Sequence, residues 1–293
     1  MSKEYPIGPA ESVKQNSHHL RGSIIEELTL ERPDFSKETV QILKFHGTYQ
    51  QSDRDQRRAG LPPEFGSMVR LSIPGGALTA EQYLQLDRLA DEAGDGGLRI
   101  TSRQDIQFHR VGKTELRPLI RTLNANLLTT LAACGDVVRN VVCCPAPFGD
   151  KERTRVQQLA GDLGRGLKPS TRAYYEIWLD GEKAAAAEPV TPDEEPLYGP
   201  TYLPRKFKVA FVIPPVNDLD VFTNDIGLIA IVENDALAGY NRAIAADNTL
   251  VIAHLHKGGL LNRLRRYDEA LNCYEQALLG QELAWLTWRL ERV

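Results

Sequence analysis

Between Ser67 and Leu127 the hydrophobic period changes from about two residues to about 3.6 and back again, a succession few architectures accept. Met68-Val69-Arg70-Leu71-Ser72-Ile73 alternates as a strand does, and Pro74-Gly75-Gly76 interrupts it. Thr79 followed by Gln82 has the spacing of a capping box and opens a helix whose apolar stripe is Tyr83, Leu84, Leu86, Leu89 and Ala90, ending at Gly94. Leu98 to Thr101 leads as extended chain into Arg103 to His109, and Leu116, Leu119, Ile120, Leu123 and Leu127 recur at helical spacing from Glu115. Strand, helix, strand, helix predicts an α+β fold.

This unit, residues 67–130, reads as a ferredoxin-like half domain. Residues 1–66 are polar, proline-rich and poorly periodic, which predicts an extended N-terminal arm ordered by lying on something else. Within the arm Val40 to Gly47 reads as a short strand ending at a glycine turn, with His46 a polar residue at its end. A second, partial α+β region at 131–233 is expected to hold a helix from Lys151 to Leu167, a strand from Ala173 to Asp180, and strands at Val209–Ile213 and Gly227–Val232. An acidic loop from Glu188 to Pro200 separates them. Past residue 233, Ala236-Leu237, Tyr240 and Ala243-Ile244 recur as Ala270-Leu271, Tyr274 and Ala277-Leu278, a period of about 34 that predicts an all-α tail of tetratricopeptide-like repeats at 234–293.

A formal net charge of -4 over 293 residues makes any basic cluster local, so no nucleic-acid surface is expected. No run of about 18 apolar residues and no apolar leader is present, so the reading is a cytoplasmic protein without a membrane partner. Cys134, Cys143, Cys144 and Cys273 have neither zinc nor disulfide spacing, and the adjacent pair reads as packing.

The cations carry the chemistry. In Tyr202-Leu203-Pro204-Arg205-Lys206-Phe207-Lys208, alternation puts Lys206 and Lys208 on one face, which requires an anion between them. Read as one strand, Arg99 to His109 puts Arg99, Arg103, Gln107 and His109 on one side and Ile100, Ile106 and Phe108 on the other. Arg70 and Arg139 add two guanidiniums.

Arg99-Ile100-Thr101-Ser102-Arg103-Gln104 with Gln107-Phe108-His109, then Arg139-Asn140-Val141, Glu176-Ile177-Trp178-Leu179-Asp180 and Leu203-Pro204-Arg205-Lys206-Phe207-Lys208 resemble the N-terminal half of assimilatory sulfite reductase hemoproteins, of the nitrite/sulfite reductase family, from about Leu20 to Glu233. The resemblance implies a sirohaem-binding α+β domain beside the half domain, and six-electron reduction of sulfite at a sirohaem coupled to a [4Fe-4S] cluster. It gives Arg70, Arg139, Lys206 and Lys208 the role of substrate-anion cations, and Arg99, Arg103, Gln107, His109 and Arg205 that of sirohaem-carboxylate ligands. Nitrite reductases of the family have Asn where Lys208 stands, so the lysine points to sulfite. The family's cluster cysteines have no counterpart here, so a complementary cluster-bearing polypeptide is expected, with ferredoxin as electron donor and a peptide as partner of the repeats. The alternative is a redox-inactive binding module or fusion fragment.

Overall fold

The computed structural model describes residues 7–53, 60–146, 149–180, 195–230 and 251–290, with positions 56, 58 and 244 besides. The chain divides into two compact units, residues 1–211 with 219–228 and residues 212–218 with 229–293.

The first unit is built on a four-stranded antiparallel sheet. Its strands are β1 (Thr48–Ser52), β2 (Phe65–Arg70), β3 (Arg99–Ile100) and β4 (Ile106–Val111), in the order β1-β2-β4-β3. One face is covered by α4 (Ala80–Ala93) and α5 (Leu116–Ala125). Leu86, Leu89 and Ala90 of α4 and Leu116, Leu119, Ile120 and Leu123 of α5 join Val69, Ile106, Phe108 and Val111 in one core. The capping box is present: Thr79 Oγ1 accepts from Gln82 N and Gln82 Oε1 from Thr79 N, both at 3.1 Å. Tyr83, Leu84 and Leu127 stand exposed, so the apolar stripes are narrower than the sequence implied.

The described residues 7–53 do not form an extended arm. They hold α1 (Pro9–Gln15), α2 (Ile24–Leu28) and α3 (Lys37–Leu43), and Leu20, Ile24, Phe35, Ile42, Leu43 and Phe45 belong to the same core as the sheet. Val40 to Leu43 is thus helix, while the turn expected at Gly47 is there: its φ is 77°, and a Cβ would lie 2.4 Å from Thr130 O and 2.6 Å from Arg70 O. His46 is fully buried. Its Nε2 faces Leu20 O at 2.8 Å and its Nδ1 accepts from Trp178 Nε1 at 2.9 Å, which makes it a core residue.

The helix expected from Lys151 is α6 (Lys151–Gly166), capped by Asp150. Ala173 to Asp180, expected as a strand, is α7 (Ala173–Leu179). Ala173, Tyr174, Ile177 and Trp178 are buried at helical spacing, and Asp180 ends the helix in a left-handed conformation with φ 53°. β5 (Val209–Val212) and β6 (Ile226–Ile229) form a separate two-stranded sheet.

In the second unit, α8 (Val251–Arg263) and α9 (Tyr267–Leu290) pack through Leu261, Ala270, Cys273 and Tyr274. A Cβ on Gly258 would meet the Tyr274 ring at 2.7 Å, so the missing side chain sets how closely the helices approach. Of the first expected repeat, all but Ile244 lies outside the described residues.

Candidate functional site

Arg99 to His109 is not one strand. It is a hairpin whose turn at Thr101 to Asp105 has Gln104 at φ 60°, so β3 and β4 run antiparallel with Arg99 opposite Gln107 and Ile100 opposite Ile106. β2 pairs on the other side of β4 with Arg70 opposite Gln107. Cross-strand partners share a face. The register therefore sets Arg70, Gln107 and Arg99 side by side across three strands, on the face away from α4 and α5.

Ser67 pairs with Val111 and Val69 with Phe108, so His109 and Arg110 together stand against Met68. This is a β-bulge, with Arg110 at φ 57°. Gly66 makes room for it, since a Cβ there would lie 3.2 Å from Arg110 Cα. Burial, and then the Arg99 charge, hold the His109 pKa below its usual value, so the ring is a neutral acceptor at pH 7. With the Gln107 amide turned accordingly, its oxygen accepts from Arg70 Nε at 2.9 Å and Nη2 at 2.6 Å, and its nitrogen donates to His109 Nε2 at 3.0 Å. A neutral amide thus separates the two arginines. Arg99 is ion-paired to Asp95 at 2.8 Å.

Arg103 leaves this face for the hairpin turn. Its Nε and Nη2 donate to Asn140 O at 3.0 and 2.6 Å, Nη2 also to Val209 O at 2.7 Å, and Nη1 to Asn224 Oδ1 at 2.9 Å. Most of its donors are therefore spent inside the chain. Ile100, expected to pack, is 82% exposed because β3 is a two-residue edge strand.

Arg139 and the basic stretch meet in a parallel ladder. Val138 bridges Phe207, with Phe207 N on Val137 O at 3.0 Å and Arg139 N on Phe207 O at 2.8 Å. Alternation from that bridge puts Arg139 on the same side of the ladder as Lys206 and Lys208. Arg139 Nε donates to Gly135 O at 2.8 Å, and its guanidinium also reaches the Tyr49 hydroxyl. Lys208 Nζ donates to Thr223 O at 2.7 Å, which leaves two of its three N–H donors. Asp225 fixes the stretch from below, its carboxylate taking Arg205 Nη2 at 3.0 Å and Lys208 N at 2.7 Å. Lys206 is exposed.

Several neighbours carried no recognisable signal in the sequence. Asp105 is 2% exposed and accepts from Ile73 N at 3.3 Å; burial pushes its pKa up to about 7 against the pull of Arg70, Arg103 and Arg139. Burial likewise pushes the Cys134 thiol up to about 11, so this buried cysteine stays a neutral packing residue. Lys14, 3% exposed, donates to Leu203 O at 2.9 Å and pairs with Asp136 at 3.3 Å, tying α1 to the start of the basic stretch. Among the described residues no group of three or more His, Cys, Asp or Glu could hold a metal ion, and no helix is long and apolar enough to cross a membrane.

Residues 63–126 match the family "Nitrite/Sulfite reductase ferredoxin-like half domain", and residues 164–250 match "Nitrite and sulphite reductase 4Fe-4S domain". The second match runs over Ala236 to Ile244, which the period of 34 had assigned to a repeat. The NADPH sulfite reductase hemoprotein beta-component of Staphylococcus saprophyticus is 46% identical over 239 residues, 80% of this chain and 42% of the relative. That of Geobacillus kaustophilus is 47% identical over 249 residues, 82% and 43% of the two chains. The chain thus spans about two fifths of the length of these curated relatives. The solved structure of the Mycobacterium tuberculosis NirA protein superposes with a TM-score of 0.53 at 21% identity, over 78% of this chain and 38% of that one, a likeness of fold.

Proposed function

From a chain that carries nitrite/sulfite reductase domain sequence and is a relative of the sulfite reductase hemoproteins, we propose that it supplies the anion-binding side of a sulfite-reducing centre. The observation that carries this reading is the row Arg70, Gln107, Arg99 with His109 beside it, together with Arg139, Lys206 and Lys208 on one side of a ladder. A tetrapyrrole with many carboxylates is the kind of group such a face suits, because bidentate guanidiniums and amides bind carboxylates well. The residues present fit sirohaem: Arg99, Gln107 and His109 would hold its carboxylates and Arg205 one at the rim. Arg103, spent on Asn140 and Val209, would keep the turn in place and would not bind directly.

Sirohaem coupled to a [4Fe-4S] cluster would supply the electrons when bound. The chain's own residues do the rest. Arg70 and Arg139 neutralise sulfite oxygens, and the ammonium groups of Lys206 and Lys208 donate protons at Nζ as those oxygens leave as water. Lys208 favours sulfite over nitrite. The thiolates for a cluster come, in this proposal, from a complementary cluster-bearing polypeptide. The relatives' name contains NADPH, so an NADPH-dependent donor is preferred here to the ferredoxin expected from sequence. Capture of a peptide by the helical tail and a cytoplasmic location remain part of the proposal.

Anaerobic addition of sirohaem to the chain together with a cluster-bearing partner tests it. Visible absorbance of the bound tetrapyrrole, shifted by sulfite and weakened in Arg70→Ala and Arg99→Ala, is the expected result. An unchanged spectrum of free sirohaem would sink the proposal.

A further inference from the structure

A cavity of about 670 Å³ lies away from the cationic row, between the chain leaving α5, the last turns of α6 and residues 168–170 and 195–197. One wall is apolar, with Leu127, Leu128, Leu131 and Leu197; Ser72 and Thr129 add hydroxyls. Its charged groups are Asp162, Arg165, Lys168 and Glu195. Asp162 and Arg165 satisfy each other at 2.5 Å. Glu195 is spent on the backbone, taking Ser170 N at 2.7 Å, Leu197 N at 3.1 Å and Tyr198 N at 3.2 Å.

Lys168 is left over. No carboxylate or carbonyl of the described residues accepts from its amine, although burial of that amine lowers its pKa to about 8. The charge that opposes it is Asp105, with Arg165 acting against it. Asp105 lies behind Ile73 and, with its own pKa raised to about 7, is partly protonated at neutral pH. Lys168 is partly exposed on the cavity wall, and its three donors, which take no acceptor among the described residues, are open to one from outside. We propose that this cavity is a binding site for a small organic carboxylate with an apolar body, whose carboxylate takes the donors of Lys168 while the body lies on the leucine wall.

Benzoate, benzyl alcohol and sulfite are suitable probes, titrated calorimetrically into the 293-residue chain. Benzoate should bind at least about tenfold more tightly than benzyl alcohol, since charge-assisted hydrogen bonds contribute about 1.5–3 kcal/mol. Lys168→Met should remove that preference, and excess sulfite should leave it intact. In the unmutated chain benzoate affinity should fall as pH rises through about 8, where Lys168 loses its proton, so the question stays answerable if the variant fails to fold. Equal binding of the two aromatic probes, unchanged affinity in Lys168→Met or above pH 8, displacement of benzoate by sulfite, or no saturable binding would each overturn the proposal.

Discussion

Ile106 and Phe108 on one face of β4, and Gln107 and His109 on the other, are neighbours in sequence that answer to different forces. The first pair is held by removal of apolar surface from water, and its partners are whichever side chains of α4 and α5 fill the space. The second pair is held by direction. Gln107 works because its amide oxygen and nitrogen face different groups, and because the register brings Arg70 and Arg99 to its two sides. One face tolerates repacking; the other depends on the placement of single hydrogen bonds.

Truncation should separate the two faces most widely. Phe108→Ala is expected to cost about 3–5 kcal/mol of unfolding free energy, as for other buried aromatics, whereas Gln107→Ala should cost under about 1 kcal/mol yet weaken sirohaem uptake. Urea denaturation of both variants measures the gap, and a cost of several kcal/mol at Gln107 would mean that the cationic row is structural.

The pH response offers a sharper test because two buried groups oppose each other. His46 has its pKa lowered by burial to about 4 from 6.5, so the stability it contributes is full above pH 6.5 and is lost as pH falls towards 4. Asp105 has its pKa raised to about 7 from 3.8, so its penalty grows as pH rises from 3.8 to 7 and is relieved on acidification. At about 1.4 kcal/mol per unit each effect is about 3–4 kcal/mol, and the two nearly cancel. Asp105→Asn should raise stability at pH 8 and expose the loss at His46 as a steep decline between pH 6.5 and 4, read from melting temperature against pH. A variant whose profile has the same shape as the parent chain's would show that Asp105 does not ionise in this window.

Arg103→Met should cost about 2 kcal/mol, since it orphans the Asn140 carbonyl and leaves Val209 O with Val142 N alone, and should loosen the turn that positions Arg99. Hydrogen exchange at Thr101 to Asp105 would report it. The smallest effect, about 1 kcal/mol, is expected for Thr79→Ala at the α4 cap, with the cationic face untouched.

How legible each part was follows the same division. The apolar face could be read in advance, because Leu86, Leu89, Leu119 and Leu123 repeat at helical spacing and Thr79 with Gln82 marks a start. The three short helices of residues 9–43 offer too few turns for a period to show. Ala173 to Leu179 was misread because Tyr174, Tyr175, Ile177 and Trp178 favour strands by residue type, while the burial of residues 173, 174, 177 and 178 is helical. The cationic residues were identifiable, but their arrangement was not. The hairpin at Gln104 has no glycine to announce it, and a residue in a left-handed turn moved Arg103 off the face that Arg99, Gln107 and His109 share. Tyr49, Asp105 and Asp225 reach the site through tertiary contacts with no local pattern at all.

Lys14 sets a clock on the molecule. Its amine ends on Leu203, 189 residues further along, and on Asp136, 122 residues along. At about 5–20 residues per second of synthesis, Leu203 is made roughly 10–40 s after α1, whose lysine until then has only Glu11 and, later, Asp136 to pair with. The cationic stretch therefore cannot close early in the chain's life, because the contact that joins its oldest helix to its site waits for residue 203.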